Sequence, residues 1–168
     1  MTELHKWLVE AKDDTVLLSE IAKSSNQEEL VDQILSLIES DLETQLPGTW
    51  ILKHLVESGH DLNSDQTEKL LKSLNSLVDW QSKLHVLQLS SNSKTLIPET
   101  IANWARGCLS EENKFLKAWA TYVSVLGFAE NEPELAKQIL NEGLQSDSGS
   151  IRSRAKKAAE QLAKLNAG

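Results

Sequence analysis

The sequence predicts an all-α fold made of antiparallel helix pairs. Apolar residues recur three or four positions apart, as in Leu30 and Ile34, which is the spacing of one buried helix face. Leucines also recur at longer range. Leu52, Leu84 and Leu116 lie 32 residues apart, a length that fits one helix pair with its turns. Such pairs bury their apolar faces only against neighbours, so we expect them to stack into a short α-α superhelix.

Capping residues predict where several of these helices begin and end. Asn26, Ser64 and Asn131 each carry a side-chain oxygen that can accept a hydrogen bond from a free backbone N–H at a helix start. Gly59 lacks a β-carbon and can adopt the left-handed conformation that closes a helix. We therefore expect helix starts at the three polar residues and a helix end at the glycine.

The three prolines are also predicted at helix starts, because a proline there removes an N–H that would have no partner. These residues are Pro47, Pro98 and Pro133. With the caps, they divide the chain into ten predicted helices and leave 91–97 as a polar connection. The predicted helices span residues 2–12, 14–24, 27–40, 48–58, 65–77, 80–91, 98–109, 111–128, 132–145 and 149–165.

The charge of the chain is concentrated in its first third. Residues 1–46 contain eleven carboxylates and three lysines, which accounts for the whole net charge of -8, whereas residues 47–168 are balanced. This acidity disfavours nucleic acid as a partner, because binding phosphates needs a basic surface. We expect one helical-repeat domain over residues 1–168, with 47–168 forming the repeats. The acidic residues 1–46 either cap the stack or cover its groove.

The composition favours a cytoplasmic protein outside the membrane. Cys108 is the one cysteine, so no internal disulfide is possible and a reducing compartment fits. The longest uncharged stretches fall far short of the ~20 residues that cross a bilayer. The first ten residues include acidic side chains in place of the apolar segment of a secretory signal.

Sequence motifs for catalysis and metal binding are missing. The chain has no His-Glu-x-x-His, no Cys-x-x-Cys, no phosphate-binding glycine loop and no Gly-x-Ser-x-Gly. We therefore expect no metal, no cofactor and no catalytic residue. An enzyme whose site is assembled across the fold leaves no linear motif, and it remains the less favoured alternative.

The 32-residue register also predicts a binding surface. It places Lys53, His85 and Lys117 at equivalent positions, which would form a basic ladder across successive helices. The further candidates beside this ladder are Trp80, Lys83, Gln88 and Lys114. Cationic groups next to an amphipathic tryptophan suit an acidic peptide, which would gain affinity from an aromatic anchor and from charge pairing. The competing interpretation is that the lysines solvate a surface and the tryptophans fill the core.

The C-terminal segment resembles a known repeat family. Asp147, Ile151 and Arg152, followed by Ala155, Ala158, Ala159 and Leu162, are similar to the HEAT-repeat pattern of Asp, then Val/Ile-Arg, then small residues and Leu. The resemblance is clearest over 147–162 and moderate over 48–145. It implies an armadillo-type superhelix, with Asp147 and Arg152 bracing adjacent repeats and the small residues allowing close helix approach.

The predicted function is a non-catalytic scaffold or adaptor that binds a protein or an acidic peptide on the curved face of the stack. Two alternatives belong to other classes. DNA-alkylation-repair glycosylases are also built from HEAT-like repeats, and Trp80, Trp104 or Trp119 would then stack on a damaged nucleotide. A structural subunit of a larger assembly would instead show a large apolar patch.

Overall fold

The protein is all-α, as the sequence predicts. The computed structural model describes residues 1–92 and 97–168, and every regular element in these ranges is helical. The chain divides into two compact units, Met1–Asn92 and Ser93–Gly168. Most of the predicted connection 91–97 lies outside the described residues. No helix within the two described ranges is both long enough and apolar enough to cross a membrane.

The first unit is organised around its fourth helix. Its elements are α1 (Glu3–Ala11), α2 (Thr15–Ala22), α3 (Gln27–Ser40), α4 (Leu42–Glu57), α5 (Ser64–Ser73), a 3₁₀ turn (Leu74–Ser76) and α6 (Trp80–Ser91). Helix α4 packs against α1, α2, α3 and α6. Ile34, Ile38 and Leu52 are fully buried between these helices. A β-carbon on Gly48 would lie 2.6 Å from Cγ2 of Ile38, so the glycine permits the close approach of α3 and α4.

The described part of the second unit, residues 97–168, forms four helices, one of which is central. Its elements are α7 (Glu99–Cys108), α8 (Lys114–Phe128), α9 (Pro133–Leu144) and α10 (Gly149–Ala167). Helix α8 packs against the other three. The buried cluster comprises Ala102, Val125, Phe128, Ala136, Ile139 and Ala158. Small residues set the spacing, because a β-carbon on Gly143 would lie 3.0 Å from that of Ala155.

Several predicted boundaries are confirmed. Asn26 caps α3 by accepting a hydrogen bond from the Glu29 N–H at 3.2 Å. Gly59 has a φ of 100° and follows the end of α4. Its N–H donates to the Val56 carbonyl, and the next N–H, of His60, donates to the Leu55 carbonyl, each at 3.0 Å. This arrangement satisfies two carbonyls at the helix end, as expected for a left-handed cap. Pro98 and Pro133 stand at the starts of α7 and α9.

Three predicted starts are wrong. Pro47 is buried inside α4, because that helix begins earlier, where Asp41 accepts a hydrogen bond from the Glu43 N–H at 2.9 Å. The cap of α5 is Asn63, not Ser64, since Asn63 and Gln66 exchange hydrogen bonds in a capping box. Asn131 lies outside α9 and is exposed. The cap position there is Glu132, without a side-chain hydrogen bond.

Asp41 joins three elements of the first unit. It ends α3 and also caps α4, so the two helices share one junction residue. Its Oδ2 lies 2.5 Å from Nε2 of His5, which ties α1 to that junction. The hydrogen bond with His5 is the main reason that the pKa of Asp41 lies below its ordinary value. The pair therefore favours the ionised carboxylate at the helix start.

Candidate functional site

The first two positions of the predicted ladder are neighbours in the first unit. Lys53 lies on α4 and His85 on α6, two helices that pack together. Nδ1 of His85 lies 3.1 Å from Oγ1 of Thr49, one helical turn before Lys53. Lys117, the third position, is half-buried on α8 of the second unit.

The His85 imidazole is neutral at neutral pH. Burial lowers its pKa to about 4, with a further contribution from the nearby Lys53 ammonium and an opposing one from Asp79. The Thr49 hydroxyl donates to the Gln45 carbonyl at 2.7 Å. Its oxygen therefore accepts from Nδ1–H of His85, and Nε2 is left as an acceptor. The ring contributes a polar group to this surface and no positive charge.

The charge of Lys53 is partly matched within α4. Its Nζ lies 3.6 Å from Oε1 of Glu57, one turn later. Such a pair on a helix surface contributes little to stability, on the order of 0.3–0.5 kcal/mol. A partner carboxylate could therefore compete with Glu57 for the lysine at small cost.

We expect the His85 ring to titrate near pH 4 when followed by NMR, because the buried imidazole resists protonation. Lys53→Gln should raise the midpoint by removing a nearby charge, while burial keeps it below the ordinary 6.5. The unfolded chain takes up the proton at higher pH than the folded chain. Stability should therefore fall as the pH decreases from about 6.5 to about 4. A midpoint near 6.5 in the intact chain would contradict the burial of this ring.

Two apolar side chains stand exposed beside this pair of helices. Val78 is 67% exposed and Trp80, the first residue of α6, is 40% exposed. Hydrogen bonds from the buried Gln45 side chain anchor the short segment that carries them. The Gln45 side chain donates to the Ser76 carbonyl at 2.8 Å and accepts from the Val78 N–H at 3.1 Å. Asp79 then caps α6. The chain thus presents Val78 and Trp80 from a fixed backbone.

We call Lys53, Val78, Trp80 and His85 the α4–α6 surface. The remaining predicted candidates of the first unit lie on the same helix as Trp80, where Lys83 and Gln88 are both half-buried. In the second unit, Lys114 is exposed at the start of α8, and its Nζ lies 5.4 Å from the centre of the Phe115 ring.

The predicted bracing residues lie at the α9–α10 turn. Nη1 of Arg152 donates to the Ser146 carbonyl at 2.6 Å, which holds this turn closed. Asp147 is exposed. This contact lies within one helix pair, so the predicted bracing of adjacent repeats by Asp147 and Arg152 stays a prediction.

A cluster on α8 and α10 of the second unit was not predicted. Cζ of Arg154 lies 3.6 Å from the centre of the Trp119 ring, and the Tyr122 ring lies edge-on to Trp119 at 6.0 Å. The sequence shows Trp119 and Tyr122 at helical spacing. It does not show that α10 packs on α8 and brings Arg154 to the tryptophan. In sequence alone, basic residues along a helix such as α10 are typical of a solvated surface.

Within residues 1–92 and 97–168, no group of three or more His, Cys, Asp or Glu side chains could hold a metal ion. A shallow cleft of about 220 Å³ lies in the first unit, lined by residues of α1, α2 and α3 and by the segment before α3. Trp7 stands exposed at this cleft. No protein-family model, no curated protein and no solved structure matches the chain.

Proposed function

We propose that this chain is a non-catalytic protein-binding module whose contact is centred on the α4–α6 surface. The observation that carries the proposal is the exposed pair Val78 and Trp80 on a segment anchored by buried Gln45. Apolar side chains in water gain free energy when a partner covers them, roughly 25 cal/mol per Å². Tryptophan is also among the residues that most often dominate protein interfaces.

The fixed backbone adds to the expected affinity. Binding normally costs free energy because loops and side chains lose freedom at the interface. The hydrogen bonds from Gln45 to Ser76 and Val78 order this segment before a partner arrives. The free energy of burying Val78 and Trp80 is then available for binding.

The partner that we propose for this surface is a peptide segment that carries both a bulky apolar side chain and a carboxylate. The apolar side chain would pack on Trp80, and the carboxylate would pair with Lys53. Neutral His85 would accept a hydrogen bond at Nε2 from a donor of the partner. Lys53 is thus the cation that favours an acidic partner on this surface.

The proposal extends to the architecture and the location. We propose that the helix pairs stack in the manner of HEAT repeats, on the strength of the 32-residue leucine register and the pattern over 147–162. We propose the cytoplasm as the compartment, because the single thiol Cys108 suits a reducing environment.

A random library of displayed 12-residue peptides would test the proposed partner. Selection on the intact chain should enrich peptides that combine a bulky apolar residue with Asp or Glu. The double variant Val78→Ser/Trp80→Ser should bind them at least ~30-fold more weakly, as expected when an interface anchor is lost. Lys53→Gln should weaken binding less and reduce its salt dependence.

The matched control is Val16→Ser/Leu17→Ser, which removes two side chains of α2 that are 70% and 48% exposed. Binding by this control should equal that of the intact chain. Circular dichroism would establish that both double variants remain helical. Enrichment of lysine-rich peptides, or equal losses in the two double variants, would contradict the proposal.

A further inference from the structure

The guanidinium of Arg154 is stacked on an aromatic platform in the second unit. Its Cζ lies over the Trp119 ring at 3.6 Å, and Tyr122 packs against the same tryptophan. Both aromatic residues lie on α8, and the arginine lies on α10. A planar cation on an indole face is held by cation–π attraction, strongest with tryptophan. The contact therefore fixes the plane of the guanidinium.

The charge of Arg154 has no acidic partner in the described parts of the chain. The six ion pairs in residues 1–92 and 97–168 do not include it. Burial lowers the pKa of Arg154, and its interaction with Tyr122 opposes this effect. Arg152, two residues earlier, differs because its Nη1 donates to a backbone carbonyl. Arg154 is only partly buried, so water solvates its remaining N–H groups, and an anionic ligand can replace that water.

Stacking leaves the hydrogen-bonding groups of Arg154 available. A guanidinium carries five N–H donors in its plane, directed outwards from its edges. The Trp119 ring covers a face and makes no use of these donors. Two parallel donors match the two oxygens of a carboxylate or a phosphate, and such pairs are stronger than neutral hydrogen bonds. A lysine at this position would offer neither the fork nor the stack.

Tyr122 supplies a second polar group beside the stack. Burial raises the pKa of its phenol, so the hydroxyl is protonated at neutral pH and can donate a hydrogen bond. The charge of Arg154 acts on this hydroxyl. The two side chains therefore offer donors of different geometry to one bound anion.

We propose that Arg154, Trp119 and Tyr122 form a binding site for an oxyanion of a peptide, either a carboxylate or a phosphate. This oxyanion site lies on α8 and α10, and its argument does not depend on the α4–α6 surface. All three residues belong to the second unit, so this unit would bind the oxyanion without residues of the first unit. Its ligand is a short peptide segment with Asp, Glu or a phosphorylated side chain.

NMR titration of the ¹⁵N-labelled full chain would test the site. The five tryptophans give separate indole N–H signals, and Trp119→Phe assigns the relevant one. The probes are a short Gly-Ser peptide with two glutamates, the same peptide with a phosphoserine, the same peptide with glutamines, and a single-stranded oligonucleotide. All are used at matched ionic strength. The Trp119 signal should shift saturably with the glutamate or the phosphoserine peptide and stay unchanged with the glutamine peptide.

Three variants distinguish specific binding at Arg154 from general attraction of the anionic peptide to positive charge. Arg154→Gln should abolish the saturable shift, and Arg154→Lys should weaken binding at least about tenfold because the fork is lost. Lys157→Gln removes an exposed cation from the same helix and should change affinity less than about twofold. The variant Val78→Ser/Trp80→Ser should leave this titration unchanged, so failure of either site is seen separately.

The proposal would be overturned by three results. An equal shift with the glutamine peptide would show that no anion is recognised. Full affinity in Arg154→Lys, or equal losses in Arg154→Gln and Lys157→Gln, would reduce the effect to net charge. Saturable binding of the oligonucleotide alone would assign the site to nucleic acid and exclude a peptide.

Discussion

Replacing Gly127 by valine is expected to destabilise the second unit by roughly 2–3 kcal/mol, the range for overpacking a close contact. A β-carbon at this position would lie 2.5 Å from Cβ of Ala102 and 3.5 Å from its Cα. Alanine has no flexible end that could move aside. Helices α7 and α8 would therefore have to separate, and the buried contacts around Ala102 would loosen. Gly127→Ala should also destabilise the second unit, by a smaller free energy than the valine.

Gly107 provides the matched control, because it also lies in a helix of the second unit but has open space around it. Apart from its chain neighbours and the backbone of its own helix, no atom of residues 1–92 and 97–168 lies within 4 Å of a β-carbon built there. Gly107→Ala should therefore stabilise the chain by about 0.5–1 kcal/mol, through reduced freedom of the unfolded state. Urea denaturation followed by circular dichroism measures both changes. Equal effects at the two glycines would refute the close contact between α7 and α8.

Replacing Gln45 by alanine is expected to lower the free energy of unfolding by about 2–4 kcal/mol. The change removes a buried side chain and leaves its backbone partners without their hydrogen bonds. The Gln45 side chain is 2% exposed. It bonds to the backbone of Ile38 in α3 and to Ser76 and Val78 in the segment before α6. The variant should also bind the selected peptides more weakly, because Val78 and Trp80 would no longer be held in place.

Gln45→Glu tests the same hydrogen bonds without removing volume. A carboxylate cannot donate to the carbonyls of Ile38 and Ser76, so this variant should be destabilised at neutral pH. Protonation restores one donor, so its deficit relative to the intact chain should shrink in acid. Gln81→Ala, at an exposed position of α6, should change stability by less than about 0.5 kcal/mol. A stable Gln45→Ala would show that the segment is held by other contacts.

The sequence predicts the helices best where two local signals agree. Helices α3 and α6 begin and end at the predicted residues, 27–40 and 80–91. For α3, apolar spacing and the capping side chain of Asn26 mark the same start. Helix α4 was predicted to begin at Pro47, since proline usually stands at a start. The stronger signal was Asp41, whose carboxylate caps the helix, while the buried proline ring packs in the interior.

The binding features were harder to predict, because they depend on contacts between distant residues. Lys53 and His85, which the 32-residue register pairs, lie on helices α4 and α6 that pack together, and the ladder itself stays a prediction. The register could not show that burial keeps His85 neutral, since burial arises only when α6 packs on α4. The stack of Arg154 on Trp119 joins residues 35 positions apart. Neither residue alone differs from a surface arginine or a core tryptophan.

The central position of α8 determines how the second unit unfolds. Helices α7, α9 and α10 each pack on α8, and Phe128 near its end is fully buried. Loss of one outer helix uncovers part of α8, and it also exposes apolar surface that the remaining helices cannot cover. We therefore expect local opening at the helix ends, where few buried contacts are lost. Hydrogen exchange should show helices α7 to α10 losing protection together in global unfolding.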